Sequence, residues 1–279
     1  MSIEFDRGSL PDDWTDPHGL PSDSQTAIST VTKGTPDVRR SRSSARSQND
    51  GARQTRIGCL DVQGVDKSFE GRAVVKGANL YVERGEAEAL LGPNGPGKTT
   101  ILYMITGLIP TDRGRIELEG RDITRLPMYR RARLGIGYLP QEASLFCGLN
   151  VEQNIRVVLD VVEPDLRRRE RNLEALLEEL DIARLRKKPS SALSADERRR
   201  VEVARAPAAR PAYLLLDEPF AGVDPMAIDG IQALVRHLTR NGIGVLITDQ
   251  LNQNPRRTLD VSDRAYVICS GDVLGTLVP

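Results

Sequence analysis

A run of nine residues, GPNGPGKTT at positions 92–100, has the composition of a loop that grips phosphate. It fits the pattern G-x-x-x-x-G-K-[ST] and follows a short apolar stretch, which suits a loop between a buried strand and a helix. Glycines let successive backbone N–H groups converge on phosphate oxygens, and the helix start adds positive potential. Lys98 would reach the β- and γ-phosphates, and the Thr99 hydroxyl would coordinate Mg²⁺. A chance glycine-rich turn is the alternative. The predicted nucleotide-binding residues are Gly92, Pro93, Asn94, Gly95, Pro96, Gly97, Lys98, Thr99 and Thr100.

Two adjacent carboxylates end a second apolar run, LLLDE at positions 214–218. Asp217 would join the shell of a bound Mg²⁺, and Glu218 would polarise an attacking water. Adjacent acids at a strand end are common, so the pair indicates catalysis only because a phosphate-binding loop lies upstream. We therefore predict ATP and Mg²⁺ as the cofactors, with Asp217 as a metal ligand and Glu218 as the base.

Composition excludes several classes of partner. Lys+Arg and Asp+Glu balance at 39 each, so no basic excess favours nucleic acid, and none is expected as a partner. Cys59, Cys147 and Cys269 lie far apart without a CxxC pair, which is typical of reduced thiols in a cytosolic protein. No apolar run approaches the roughly 20 residues of a membrane span. The first residues are acidic and carry no apolar segment, so we expect a cytoplasmic location.

Two regions differ in patterning. Residues 1–56 are rich in Ser, Pro, Gly, Asp and Arg without helical or strand periodicity, which predicts a disordered tail. That tail is either simply solvated or uses its RRSRSSARS stretch for a weak contact with anionic lipid. From Ile57 onward, residues 60–62 and 78–82 alternate like a half-buried antiparallel sheet, whereas residues 88–91, 213–217 and 245–249 read as buried strands of an α/β core. Leucines in residues 166–182 form a helical stripe and predict a separate helical subdomain.

With these motifs in this order, residues 57–276 resemble the ATPase subunits of ATP-binding-cassette (ABC) transporters. The resemblance implies an α/β fold with a P-loop NTPase (RecA-like) core, an antiparallel β subdomain and a helical signature subdomain at about residues 142–208 of an ABC ATPase domain spanning 57–279. Phe69 would stack on adenine, and Gln141 would sense Mg²⁺ as a further metal ligand. The signature, which would contact the partner's ATP, would be Ser194, Ala195, Asp196 and Glu197, and Asp224 would lie in the dimer-contact loop.

Longer runs, including GIGYLPQEASLF and LLLDEPFAGVDP, are similar to the ATPases of lipopolysaccharide export systems. The similarity implies a homodimer on the cytoplasmic face of the inner membrane, peripheral to two integral-membrane transporter subunits. Two ATP molecules would lie between the phosphate loop of one copy and the signature of the other. A groove near Gln141, Leu145 and Phe146 would receive a coupling helix, unless Phe146 is ordinary core packing.

Several residues depart from the family pattern. The signature usually reads Leu-Ser-Gly-Gly, but Ala195 and Asp196 stand in place of the glycines. A carboxylate 4 Å from a phosphate charge is repelled by about 1 kcal/mol in water and about 4 kcal/mol at a dielectric of 20. If Asp196 instead turns outward, it is a favourable helix cap. Gln250 stands where the family has a catalytic histidine, and Pro207 interrupts the helix after the signature.

These departures leave competing hypotheses. The leading one is an ATP-hydrolysing transport subunit with Glu218 and Gln250 at the catalytic centre. A nucleotide-binding pseudo-ATPase or regulatory subunit with impaired hydrolysis is the second. A soluble cassette acting on ribosomes or DNA is less favoured, because only one cassette and no long heptad run are found in the sequence.

Overall fold

A computed structural model describes residues 58–251 and 255–278 of the chain, and the predicted tail at residues 1–56 lies outside that part. One ten-stranded sheet runs through it, in the order β5-β4-β1-β2-β10-β9-β3-β8-β7-β6. The strands are β1 (Cys59–Phe69), β2 (Arg72–Glu83), β3 (Ala87–Gly92), β4 (Arg113–Leu118), β5 (Arg121–Asp122), β6 (Ile136–Leu139), β7 (Tyr213–Asp217), β8 (Gly244–Gln250), β9 (Arg264–Cys269) and β10 (Asp272–Leu277).

The first part of the sheet is antiparallel. β1 pairs with β2 and with β4, and Leu60 lies opposite Val82 in the first pair. Along β1, Leu60 and Val62 are buried while Asp61 between them is half-buried, because alternate side chains of a strand point to opposite faces. The prediction of a half-buried antiparallel sheet from this alternation is confirmed.

The second part is parallel, and every residue of its strands β3 and β7 is buried. β6, β7, β8, β3 and β9 run side by side, so their carboxyl ends meet at one edge. Gly92 at the end of β3 lies opposite Gln250, and Asp217 at the end of β7 lies opposite Thr248. The strand order alone therefore brings the phosphate-loop sequence and the paired acids together, as ligand sites of open α/β sheets require. The predicted α/β class is confirmed.

Seven helices accompany these strands in the described ranges. They are α1 (Gly97–Thr106), α2 (Met128–Arg133), α3 (Val151–Val162), α4 (Leu166–Glu179), α5 (Ala195–Arg205), α6 (Pro225–Arg240) and α7 (Arg256–Leu259). Leu214 and Leu216 of β7 join a core with residues of α3, α4 and α6, whereas Leu215 joins a second core with residues of α1. Both faces of the parallel strands are thus covered, which explains their uninterrupted apolar sequence. None of the helices in this part of the chain combines the length and the apolar character that a bilayer crossing requires.

The segment at residues 142–208 contains α3, α4 and α5, and its separateness as a subdomain stays a prediction. In α4, Leu173, Leu176 and Leu177 are buried as the stripe predicts, but Leu166 is 68% exposed in the first turn. α5 ends at Arg205, two residues before Pro207, and a short 3₁₀ turn follows. The interruption expected at Pro207 is confirmed, because its ring leaves no room for a continuing helix and it has no N–H to donate.

Candidate functional site

The phosphate loop rises from the end of β3, and its glycines fit tightly against a neighbouring strand. A Cβ added to Gly92 would lie 2.7 Å from both the side chain and the carbonyl oxygen of Ile268, and one added to Gly97 would lie 3.0 Å from the Ile268 side chain. Real Cβ atoms do not approach so closely. Only glycine therefore lets the loop lie this close to β9 at position 92.

The start of α1 is open to an anion. Pro96 precedes the helix with helical backbone angles, and no side chain caps the first turn. The first amides of a helix have no intrahelical acceptor, so they are available to phosphate oxygens. Pro96 itself has no N–H. The loop consequently has one backbone donor fewer than it would have with any other residue at position 96.

Lys98 is buried and folded back against its own loop. Its ammonium donates to the carbonyl oxygens of Pro93 at 2.8 Å and Gly92 at 3.3 Å, and Glu218 Oε1 lies 3.8 Å away. Burial lowers the pKa of Lys98, and the carboxylates of Glu218, Asp217 and Asp249 act in the opposite direction. Three acids thus surround one cation, an arrangement that suits phosphate only when a divalent metal adds positive charge.

Asp217 accepts hydrogen bonds from two threonine hydroxyls. Its Oδ1 accepts from Thr99 at 3.3 Å and from Thr248 at 2.7 Å. Tyr138 donates to Oδ2 at 3.3 Å, and burial together with the Asp217 charge raises the pKa of that phenol. Neighbouring ligands of an octahedral Mg²⁺ lie about 2.9 Å apart, so Thr99 and Asp217 fit two such positions with little movement.

Few protein ligands are otherwise available. Among the described residues no group of three or more His, Cys, Asp or Glu side chains is arranged to hold a metal. Mg²⁺ typically uses one or two protein ligands plus phosphates and water, so this is the donor set expected for a metal that arrives with a nucleotide.

Glu218 is gripped by two glutamines. Gln250 Nε2 donates to both of its carboxylate oxygens, at 3.1 and 2.9 Å, and Gln141 Nε2 donates to Oε2 at 3.1 Å. The Glu218 backbone has a φ of 44°, in the left-handed region, and its N–H donates to Thr248 at 3.0 Å. The carboxylate is therefore held beside Lys98 by neutral donors, and the Gln141 amide nitrogen faces Glu218. The role of Gln141 as a metal ligand stays a prediction.

A cavity of about 400 Å³ opens beside the loop. Sequence reasoning missed the part of its wall that does not belong to the loop, because β2, β9 and the turn after β9 carry no motif. Phe69 is not one of the described residues that line this cavity. Phe69 is 44% exposed, and the Lys67 ammonium lies 5.5 Å from the centre of its ring. Adenine stacking on Phe69 stays a prediction. The additional lining residues are Arg72, Ala73, Val74, Ile268, Ser270 and Gly271.

The predicted signature lies at the start of α5. Ser194 caps the helix by accepting from the Glu197 N–H at 3.1 Å, and Glu197 accepts from the Ser194 N–H in return. Ala195 is exposed. Asp196 turns toward the predicted dimer-contact loop of its own chain, where its Oδ1 accepts from the Asp224 N–H at 3.0 Å. The orientation of Asp196 toward a phosphate held by a second copy stays a prediction.

A buried arginine joins α5 to the sheet edge that carries Asp217 and Glu218. The Arg199 guanidinium donates to the carbonyl oxygens of Pro140 at 2.9 Å, Asp217 at 3.0 Å and Pro219 at 3.2 Å, and it pairs with Glu202 at 3.3 Å. It thereby fixes the backbone on both sides of Glu218. Sequence reasoning missed this residue, because three consecutive arginines on one helix do not show which of them is buried.

The predicted coupling groove presents a partly exposed aromatic ring. Leu145 is buried, but Phe146 is 52% exposed, with the Arg205 guanidinium 5.8 Å from its ring centre. The alternative that Phe146 is ordinary core packing does not fit this exposure. A docking role for Phe146 stays a prediction.

Known proteins share both sequence and fold with this chain. A family model described as ABC transporter matches residues 75–221. A probable ABC transporter ATP-binding protein of Azorhizobium caulinodans is 64% identical over 220 residues, covering 79% of this chain and 77% of that relative. LptB, the lipopolysaccharide export system ATP-binding protein of Haemophilus influenzae, is 48% identical over 222 residues, covering 79% and 90%. The solved structure of cbiO1 from Clostridium perfringens, part of the ABC transporter complex cbiONQ, matches with a TM-score of 0.70 and 26% identity, covering 78% and 87%.

Proposed function

The chain belongs to the ABC transporter family as an ATP-binding subunit, and we propose that it hydrolyses Mg-ATP to power export of lipopolysaccharide from the inner membrane. The observation that carries the hydrolytic part is the convergence of Lys98, Thr99, Asp217 and Glu218 at one sheet edge. Each of these side chains has a distinct task in phosphoryl transfer.

Binding falls to the loop and the helix that follows it. The open first turn of α1 receives phosphate oxygens, and Lys98 exchanges its carbonyl acceptors in the loop for the β- and γ-phosphates. This exchange is favourable because a buried ammonium gains a charged partner in place of neutral ones. Thr99 and Asp217 would hold Mg²⁺, which would supply charge neutralisation on the phosphates.

Glu218 would then orient and deprotonate the attacking water. It is 7% exposed and bound by amide donors from two different segments, so its position is defined before substrate arrives. Gln250 can donate a hydrogen bond to Glu218 or to a γ-phosphate, but it cannot become cationic as a histidine could. Arg199 acts as a positioning residue, since it holds the carbonyl groups on both sides of Glu218.

The transport part of the proposal rests on the relatives. The H. influenzae relative at 48% identity carries lipopolysaccharide export in its name, and the exposed Phe146 ring offers a contact for a membrane subunit. We therefore propose a homodimer, peripheral on the cytoplasmic face of the inner membrane, that binds two integral-membrane subunits near Gln141 and Phe146. Each copy would place its signature against ATP held by the other copy.

The decisive test measures Mg-ATP binding and phosphate release on the same preparation, alone and with the membrane subunits. Glu218→Gln should retain binding and reduce turnover by about 10²–10⁴-fold, the range for loss of a general base. Glu178→Gln, an exposed carboxylate on α4, is the matched control and should leave both unchanged. Absence of turnover in the unmodified protein, even with its membrane subunits, would refute the enzymatic part.

The partner and cargo need a separate test. Phe146→Ala should weaken co-purification of the two membrane subunits without altering ATP binding, whereas Leu274→Ala, exposed on β10, should not. Reconstituted subunits should extract lipopolysaccharide from proteoliposomes only with Mg-ATP. Membrane partners that transport another substrate would overturn the lipopolysaccharide assignment.

The second candidate function is a nucleotide-binding subunit with impaired hydrolysis. It is favoured by Gln250, which clamps both oxygens of Glu218 with a neutral amide, and by the carboxylate of Asp196 in the signature. Combining Asp196→Gly with Gln250→His discriminates between the candidates. A large gain in turnover supports impairment, and unchanged turnover counts against it.

A further inference from the structure

One hydrogen bond joins the signature segment to the dimer-contact loop within the same chain. The Asp224 N–H donates to Asp196 Oδ1 at 3.0 Å. Asp224 also caps α6, because its own carboxylate accepts from the Met226 N–H at 2.8 Å. A side chain in the first turn of α5 therefore holds the backbone of the residue from which α6 begins.

Asp196 is not needed as a cap of its own helix. Ser194 and Glu197 already form a reciprocal capping box at the start of α5, and Glu197 is further fixed by Lys188 at 2.6 Å. The helix start is satisfied without the Asp196 carboxylate. The contact of Asp196 with Asp224 is therefore additional to the capping of α5.

The carboxylate lies where an anion is attracted by two helices. It belongs to the first turn of α5, and its acceptor oxygen faces the capping residue of α6, so the positive ends of both helices act on it. In the described ranges Asp196 forms no ion pair that would neutralise its charge. The start of α5 consequently carries its own tethered anion.

We propose that Asp196 is an intrachain latch that opposes nucleotide-driven dimer formation. The inference rests on the proposed function, in which the start of α5 receives the γ-phosphate of ATP bound by a second copy of this chain. A phosphate arriving there meets a carboxylate of like charge, and the dimer-contact loop must leave Asp196 before it can contact the second copy. The latched chain and the closed dimer are therefore competing states, and ATP closes the dimer only when it displaces the latch.

The test uses the full chain in a Glu218→Gln background, so that bound ATP persists, and measures dimer mass by analytical ultracentrifugation across ATP concentrations. Asp196→Gly and Asp196→Asn should each lower the ATP concentration for half-dimerisation roughly tenfold or more, since both remove the opposing charge. The shift should shrink at high salt. Asp165→Asn, the same change at the cap of α4, is the matched control and should have no effect.

Two further readouts separate failure of the latch from failure of the proposed function. Exchange of the Asp224 amide hydrogen should accelerate in Asp196→Gly, because its acceptor is gone. If Mg-ATP binding is normal and dimerisation is equal in the parent and both Asp196 variants, the latch is wrong but the proposed function stands. A parent protein that binds no Mg-ATP refutes the proposed function and the latch with it.

Discussion

Replacing Arg199 by methionine should destabilise the protein severely, because the substitution strands a buried acid. Glu202 is 2% exposed and, among the described residues, keeps only the Ser144 N–H as a donor once the guanidinium is removed. Breaking a buried ion pair from one side costs about 3–5 kcal/mol, a large share of the roughly 5–15 kcal/mol that keeps a domain folded. A loss near 4 kcal/mol should lower Tm by about 10 °C in a domain of this size.

The double variant identifies the cause. Glu202→Leu alone leaves Arg199 buried without its counter-charge, whereas Arg199→Met with Glu202→Leu replaces the pair by apolar groups of similar volume. Such a replacement is often close to neutral, so the double variant should regain a substantial part of the lost stability. It should not regain ATP turnover, since the carbonyl groups of Asp217 and Pro219 remain without the donor that positions Glu218.

Urea unfolding of each variant measures the expected loss and recovery of stability. Phosphate release from each variant measures whether turnover recovers. Arg198→Met, one position earlier on α5, is the matched control. The reasoning is refuted if Arg199→Met is no more destabilising than Arg198→Met, or if the double variant is no more stable than Arg199→Met. Recovery of turnover together with stability would show that Arg199 contributes only to folding.

Three other changes have expected outcomes. Pro96→Ala restores an N–H to the loop and should tighten Mg-ATP binding about tenfold by calorimetry, the value of one hydrogen bond to a charged group; unchanged affinity would show that phosphate does not reach this position. Gly92→Ala should lower the free energy of unfolding by about 1–3 kcal/mol in urea, and Ile268→Ala should not rescue it, because the Ile268 carbonyl oxygen also meets the new Cβ. Hydrogen bonds led by that from Arg186 lower the pKa of Glu152 to about 2, so its contribution to stability is present above pH 4.5 and is lost as pH falls toward 2. The stability difference between parent and Glu152→Gln should therefore shrink from pH 6 to pH 3, and a constant difference would contradict the assignment.

The sequence predicts the elements of the site better than their contacts. The phosphate loop, the β7 acids and the alternation of β1 and β2 are readable, because each depends on local spacing and composition. The α/β class follows from the same strands. The wall formed by Val74, Ile268 and Gly271 is not readable, since it arises from strands that meet only after the sheet is assembled.

The contacts of polar side chains are also not predictable from the sequence. Neither the direction of Asp196 nor the burial of Arg199 follows from position on α5, because both depend on which loops pack against that helix. The sequence shows Gln250 where the family has histidine, but its hydrogen bonds to both oxygens of Glu218 depend on the register between β8 and β7. The sequence therefore predicts the sheet edge that carries Asp217 and Glu218, but not the hydrogen bonds made there.

The position of β3 in the sheet bears on biosynthesis. The strand beneath the phosphate loop pairs on one edge with β8 and on the other with β9, so Leu90 lies beside Thr248 and Tyr266. Both neighbours are translated more than 140 residues after the loop itself, since Thr248 follows Thr100 by 148 residues and Tyr266 follows it by 166. A nascent chain still on the ribosome cannot complete this strand arrangement until β9 has left the exit tunnel, because non-local pairing must wait for the later segment. The nucleotide site is thus among the last parts of the protein to form, and incomplete chains should neither bind nor sequester cellular ATP.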